Sequence, residues 1–112
     1  MVIAVDFDGC ICSDNYPQIG YPNWPVIHEL QRKRRSGDKI ILWTCREGRE
    51  LAEAIASCLR WGLDFDAINS NLPERIIKYK SDPRKISADE YWDDRSIRKC
   101  YEDIKGEIIC KK

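Results

Sequence analysis

Two aspartates, Asp6 and Asp8, lie one residue apart near the start of the chain, in the stretch AVDFDGCIC of residues 4–12. The apolar run of residues 2–5 is typical of a strand buried on both faces, and Gly9 lets the backbone turn sharply after it. Residues i and i+2 of an extended segment point the same way, so both carboxylates can reach one metal ion or one substrate. Because ligands bind at the carboxyl ends of strands in open α/β sheets, this stretch predicts a phosphoryl-transfer site.

The same string also has a purely structural interpretation, because Asp and Gly form ordinary turns after strands. The chain contains an internal comparison, since Asp64, Phe65 and Asp66 repeat the Asp-Phe-Asp string. This second copy precedes its apolar residues and has no glycine after it. It therefore predicts the solvated start of a strand, without a role in a site.

Length and charge limit the classes of protein to consider. A chain of 112 residues can form one domain with a real core. Its formal net charge is zero, which argues against a nucleic-acid partner, because such proteins normally carry a basic excess. The basic run at residues 32–35 falls in the last turn of a predicted helix, where cations complement the helix dipole.

The apolar runs and the cysteines predict a cytoplasmic protein without membrane contact. The first apolar run is short, and no run approaches the length of a signal peptide or a membrane span. Six cysteines are scattered through segments with an apolar pattern of their own, which favours reduced thiols over a disulfide scaffold. Cys10 and Cys12 leave a metal–thiolate site as a minor alternative, since one C-x-C pair is weak evidence for zinc.

Strand and helix signals alternate along the rest of the chain. Pro25 and Gly37 bound one predicted helix, and Gly62 ends a second helix that begins near Glu47. We expect strands at residues 39–43, 65–68 and 88–92, a loop with one helical turn at residues 69–81, and a C-terminal helix with the stripe Ile97, Tyr101, Ile104 and Ile108. This succession predicts an α/β, three-layer Rossmann-like fold with a mostly parallel sheet.

Four further polar residues fall at or near the predicted ends of strands. Thr44 follows the second strand, Asp93 and Asp94 follow the fourth, and Lys85 precedes the fourth. Each has a structural alternative, as a turn residue, a helix N-cap or a surface lysine. Together with the first two aspartates they supply a nucleophile, an acid/base group, donors for phosphate oxygens and ligands for Mg²⁺.

With these motifs the chain resembles the haloacid dehalogenase-like hydrolases, specifically their small capless members. The resemblance extends over residues 2–96, and the four motifs occur in family order. The stretches ILWTCREG (residues 41–48) and ADEYWDDRS (residues 88–96) are similar to a group of minimal bacterial and phage-type proteins. The resemblance implies a magnesium-dependent phosphatase that acts on a phosphorylated substrate through an aspartyl-phosphate intermediate.

The resemblance also implies a role for each aspartate of the motifs. Asp6 would attack phosphorus, while Asp8 would protonate the leaving group and later activate water. Mg²⁺ would be held by the carboxylate of Asp6, the main-chain carbonyl of Asp8 and the fourth motif. Within that motif Asp94 is the expected direct ligand, and Asp93 would bind directly or through water.

Thr44 and Lys85 match the second and third motifs, whose hydroxyl and ammonium groups would bind the phosphate oxygens. Lys85 has neighbours that could take its place. Arg84 adjoins it, and Lys78 and Lys80 lie a few residues upstream. The sequence therefore leaves the basic partner of the phosphate open among these four residues.

No cap domain is expected, because the connection after the first motif is short and one helix fills the interval after the second. The aromatic residues Tyr16, Tyr21 and Trp24 of that connection either cover a substrate or pack the loop onto the body. Arg46 and Arg49 either bind a second anionic group or lie exposed at a helix N-terminus. Such an open site favours a homo-oligomer that covers it, ahead of action on a large substrate.

Two other functions fit parts of the pattern. A phosphoacceptor receiver domain also has Asp, Thr and Lys at strand ends, but its acceptor would follow the third strand, where this chain has Ile68 and Asn69. A catalytically inactive binding subunit is the second alternative, because the first motif usually continues with Thr or Ser and this chain has Cys10. The order of the motifs argues against the receiver domain, and the presence of all the charged positions argues against the inactive subunit.

Overall fold

The structure, a computed structural model, describes residues 1–93 with their side chains and the backbone of residues 99–102 and 108–111. Four strands form one sheet: β1 (Val2–Val5), β2 (Lys39–Leu42), β3 (Ala67–Ile68) and β4 (Glu90–Trp92). The helices are α1 (Trp24–Arg35), α2 (Gly48–Arg60) and α3 (Pro73–Tyr79), and a hairpin of β5 (Lys99–Glu102) and β6 (Ile108–Lys111) follows. In the four-stranded sheet the strand order is β3-β2-β1-β4 and all three strand pairs are parallel, so the predicted α/β fold is confirmed.

The first strand lies inside the sheet and marks the point where the winding reverses. Ala4 pairs with Ile41 on one side and with Tyr91 on the other. The chain moves outward from β1 to β2 and β3, then returns to the opposite side of β1 for β4. The carboxyl end of β1 is therefore a topological switch point, where open α/β sheets bind their ligands.

Side chains of β1 alternate between two apolar layers, as its uninterrupted apolar run predicts. Ile3 and Val5 are buried against residues of α1 and α2, while Ala4 packs on the opposite face with Leu72 and Ile86. Right-handed crossovers explain this division, because outward winding puts α1 and α2 on one face and the return to β4 puts α3 on the other. Among the described residues, no helix has the length and apolar content needed to cross a membrane.

Several element boundaries differ from expectation, since β2 ends at residue 42 instead of 43 and β4 begins at residue 90 instead of 88. The third strand is shorter than residues 65–68, and α3 spans seven residues where one turn was expected. The predicted C-terminal helix is wrong, because β5 and β6 pair as an antiparallel hairpin in which Cys100 lies opposite Cys110. Tyr101, Ile108 and their neighbours favour strands, and Gly106 disfavours a helix interior, so these preferences outweigh the helical spacing.

Candidate functional site

Asp6 follows β1 directly, at the switch point of the sheet. Its N–H donates to the carbonyl of Trp92 on β4 at 2.9 Å, while the N–H of Trp43, after β2, donates to Val5 at 2.9 Å. The N–H of Phe7 donates to Oδ1 of Asp6 at 2.7 Å, which orients the half-buried carboxylate. The carboxyl ends of strands β2 and β4 therefore flank Asp6 on its two sides.

A tight turn follows Asp6 and carries Asp8. The carbonyl of Phe7 accepts N–H groups from Cys10, Ile11 and Cys12 at 3.0 to 3.3 Å. Gly9 has a φ of +81°, which residues other than glycine rarely adopt, so the backbone conformation of this turn explains the glycine of the first motif. Because Phe7 is fully buried, the turn is fixed to the core directly beside both aspartates.

The carboxylate of Asp8 forms a bidentate ion pair with Arg46. The guanidinium donates from Nε to Oδ2 at 2.7 Å and from Nη2 to Oδ1 at 2.8 Å. Arg46 is almost fully buried, whereas Arg49 is exposed and pairs with Glu53 on α2. The hydrogen bond to Asp8 raises the pKa of Arg46 above its usual value, so the guanidinium stays charged despite its burial. Of the two arginines expected either to bind an anion or to lie exposed, Arg49 is therefore exposed and Arg46 is not.

Thr44 lies after β2 and is held by a residue that sequence reasoning missed. Its N–H donates to Oδ1 of Asn69 at 2.8 Å, and its Oγ1 accepts the N–H of Arg46 at 3.1 Å. Asn69 follows β3 with a φ of +52°, a conformation in which Asn is enriched. An asparagine at a strand end was the available signal, and it was interpreted only as the absence of an aspartate.

Lys85 lies in an exposed loop that precedes β4, and buried Asn71 braces this loop. Asn71 donates from Nδ2 to Oδ1 of Asp82 and to the carbonyl of Pro83, both at 3.1 Å, and accepts the N–H of Ser87 at 2.7 Å. Within the part of the chain with described side chains, Lys85 forms no ion pair. The structure thus gives its loop a defined path, while the choice among the neighbouring basic residues stays a prediction.

The acidic pair after β4 is described only in part. Asp93 follows the Trp92 carbonyl that binds the N–H of Asp6, whereas Asp94 lies outside the described residues. Within residues 1–93, no group of three or more His, Cys, Asp or Glu side chains is arranged to hold a metal ion. Mg²⁺ takes one or two protein carboxylates and completes its shell with water and phosphate oxygens. Asp6, Asp93 and the Asp8 carbonyl are hard oxygen donors of that kind, so the residues present suit Mg²⁺ chemically.

The connection between the first motif and α1 is a loop without a helix of its own. Ser13 and Tyr21 close it, because the N–H of Ser13 donates to the Tyr21 carbonyl at 2.9 Å and the N–H of Tyr21 donates to Ser13 Oγ at 2.8 Å. Gly20 is required here, since a Cβ atom would lie 1.9 Å from the Ser13 carbonyl oxygen. The ring of Tyr21 is exposed, whereas the ring of Trp24 contacts His28 on α1 and that of Tyr16 contacts the guanidinium of Arg46.

Three cysteines with described side chains are free thiols: Cys12, Cys45 and Cys58. Burial raises the pKa of Cys58 to about 12 and also raises the pKa of Cys12. Such thiols are poor nucleophiles and poor metal ligands, because both roles require the thiolate. The reduced state of the thiols stays a prediction.

A comparison with solved structures finds the conserved protein coded by a locus of Bacteroides thetaiotaomicron, which is 40% identical in sequence to this chain. The match covers 87% of this chain and 78% of that protein, with a TM-score of 0.77. No protein-family model and no curated protein matches the sequence. Identity at this level over most of both chains indicates common descent and a shared fold. This chain therefore belongs to the family of the conserved Bacteroides thetaiotaomicron protein.

Proposed function

We propose that this protein is a capless member of the haloacid dehalogenase-like hydrolases, a magnesium-dependent phosphatase acting on a phosphate ester. The observation that carries the proposal is the position of Asp6 at the carboxyl end of β1, at the switch point of the sheet. Thr44 follows β2 on one side of it, and Asp93 follows β4 on the other. Groups suited to phosphoryl transfer thus come from three adjacent strands.

Asp6 would act as the nucleophile. Its carboxylate would form a bond to phosphorus as the bond to the leaving-group oxygen breaks, and water would then hydrolyse the aspartyl phosphate. A covalent intermediate divides one difficult displacement into two easier ones. The hydrogen bond from the N–H of Phe7 to Oδ1 supports this role, because it fixes the direction of the carboxylate.

Asp8 would transfer the protons, giving one to the leaving oxygen in the first step and taking one from water in the second. Thr44 would bind a phosphate oxygen, since its Oγ1 accepts a hydrogen bond from Arg46 and keeps its own hydrogen to donate. Lys85, or a basic neighbour in the same loop, would neutralise a phosphate oxygen. These assignments use each polar group in the chemistry to which it is suited.

The carboxylate of Asp6, the main-chain carbonyl of Asp8, Asp93 and Asp94 would hold Mg²⁺. When bound, the ion neutralises the converging carboxylates and the charge of the phosphate. The main-chain carbonyl of Asp8 is the oxygen assigned to the ion, so the Asp8 carboxylate keeps its contact with Arg46 and its role in proton transfer. Because Cys12, Cys45 and Cys58 are free thiols in the described part of the chain, we extend the proposal to a reducing, cytoplasmic location.

A screen of phosphate-ester hydrolysis with and without Mg²⁺ tests the proposal, using sugar phosphates, nucleotides and phosphopeptides as substrates. We expect turnover that requires Mg²⁺ and is absent in Asp6→Asn. No hydrolysis of any ester at saturating Mg²⁺ would reject the proposal, as would equal hydrolysis by wild type and Asp6→Asn. Stable phosphorylation of Asp6 without turnover would indicate a signalling or binding module in place of a phosphatase.

A further inference from the structure

Arg46 uses every N–H of its guanidinium inside the protein. Two donate to the carboxylate of Asp8, and a third donates from Nη2 to the carbonyl of Gln18 at 2.8 Å. Nη1 donates to the carbonyls of Pro17 at 3.1 Å and Glu50 at 3.4 Å. Five donors therefore meet five acceptors, and a substrate anion could bind Arg46 only by displacing one of them.

The guanidinium is also enclosed by aromatic rings. Its central carbon lies 5.0 Å from the ring centroid of Phe7 and 5.1 Å from that of Tyr16. Phe7 belongs to the core, where it stacks with Trp61, whereas Tyr16 belongs to the exposed connection. Arg46 thus touches the first motif and the loop at the same time, through both its hydrogen bonds and its faces.

We infer that Arg46 is a positioning residue that fixes the Asp8 carboxylate for proton transfer and couples its orientation to the loop of residues 16–18. The inference rests on the proposed function of Asp8. It differs from the sequence-based expectation that Arg46 binds an anionic part of the substrate, because all five donors are occupied.

The geometry explains why an arginine is needed at this position. A bidentate pair fixes the plane of a carboxylate, and only the rigid guanidinium fork can do this while donating to three carbonyls. A lysine has one nitrogen and cannot span these acceptors. Movement of the loop carbonyls would change the position of Arg46 and, through it, of Asp8. A substrate that touches the loop could therefore alter the proton-transfer group without contacting it.

A double-mutant cycle on Arg46 and Asp8 tests the positioning role. We expect Arg46→Lys to lower kcat by about 10- to 100-fold with little change in KM, because a misplaced catalytic group costs on that order. In the Asp8→Asn background the same substitution should cost almost nothing further. Arg49→Lys is the matched control on the neighbouring exposed arginine and should leave both constants unchanged.

Two results of that cycle would overturn the inference while the proposed function stands. A large rise in KM with kcat unchanged would identify Arg46 as a direct substrate ligand. Fold losses that multiply in the double variant would show that Arg46 acts independently of Asp8. Absence of hydrolysis in the wild type would be a failure of the proposed function, and the coupling is then judged by the structural measurement below.

Amide hydrogen exchange measures the coupling without any turnover and also covers the case in which Arg46→Lys fails to fold. Asp8→Asn should speed exchange of the Ser13 and Tyr21 amides, whose hydrogen bonds close the loop. The Asp89 amide, bonded to the Val2 carbonyl at the other end of the sheet, should be unaffected. Asp6→Asn is the matched control. Unchanged loop exchange in Asp8→Asn, or an equal change in Asp6→Asn, would reject the coupling.

Discussion

The chain contains the string Asp-Phe-Asp twice, and the two copies share their local geometry. In the first copy the N–H of Phe7 donates to Oδ1 of Asp6 at 2.7 Å. In the second copy the N–H of Phe65 donates to Oδ1 of Asp64 at 2.8 Å. The last aspartate of each copy is similarly buried, with side-chain exposures of 16% for Asp8 and 18% for Asp66, and each forms an ion pair with an arginine. The hydrogen bond within each string and the burial of its last aspartate do not distinguish the two copies.

Their long-range partners do distinguish them. Arg46 is 1% exposed and holds Asp8 through two bonds, whereas Arg34 is 38% exposed and reaches Asp66 through one contact of 3.4 Å. Asp66 also accepts the N–H of Ile40 at 2.8 Å, so its carboxylate extends the pairing at the amino end of β2. The first string lies at the carboxyl end of the sheet, where we propose the chemistry, and the second lies at the amino end of β2, where its contacts are structural.

The largest difference between the copies is expected at their first aspartates. Asp6→Asn should abolish hydrolysis of every phosphate ester, because the nucleophile is lost. Asp64→Asn should keep full activity, since Asn Oδ1 can still accept the N–H of Phe65. Steady-state assays at saturating Mg²⁺ measure both. Comparable activity of the two variants would remove the functional distinction between the copies.

The second aspartates should differ in kind. Asp8→Asn should lower kcat by roughly 10²- to 10⁴-fold, the usual contribution of acid/base catalysis, and should still allow phosphorylation of Asp6. Asp66→Ala should leave kcat unchanged but lower the free energy of unfolding by about 1–3 kcal/mol, because the N–H of Ile40 loses its acceptor. Kinetic assays and urea unfolding separate the two effects. Loss of activity in Asp66→Ala at a temperature where it is folded would contradict this assignment.

Mg²⁺ should stabilise only the carboxyl end of the sheet. An ion that binds the folded state at 100 times its Kd adds about 2.7 kcal/mol to the free energy of unfolding. Asp94→Asn should weaken Mg²⁺ binding most and Asp93→Asn less, while Asp64→Asn should not change it. Calorimetric titration and thermal unfolding measure the affinity and the stabilisation. Equal affinity in wild type and Asp94→Asn would remove Asp94 from the site.

The smallest effect is expected in the loop beside Asp8. Replacing Tyr16 and Tyr21 by Ala should weaken self-association and reduce selectivity among phosphate esters, because exposed aromatic rings next to an open site suit a covering partner. Hydrolysis of a small activated ester should change little, by no more than a few fold. Light scattering and an ester panel test this. A wild-type monomer at every concentration, with unaltered selectivity in the double variant, would reject the shared site.

Prediction from sequence was most successful where short-range physics decides. The apolar run of β1, the positive φ of Gly9 and the helix ends at Gly37 and Gly62 all follow from residue type and spacing. The C-terminal hairpin was missed because Tyr101 and Ile108 satisfy a helical spacing as well as a strand preference. Pairing with a neighbouring strand decides between helix and strand in such a segment, and a short stretch of sequence does not contain that partner.

The sequence by itself determined the order of the four strands of the parallel sheet and of helices α1 and α2, and the turn that follows Asp6. Only the tertiary structure decided what those residues touch. Arg46 lies 38 residues from Asp8 along the chain, and its place just before α2 does not reveal that its side chain is buried. The physical reason is that a buried charge is tolerated only where the folded chain supplies all its partners, and the partners of Arg46 come from three separate segments.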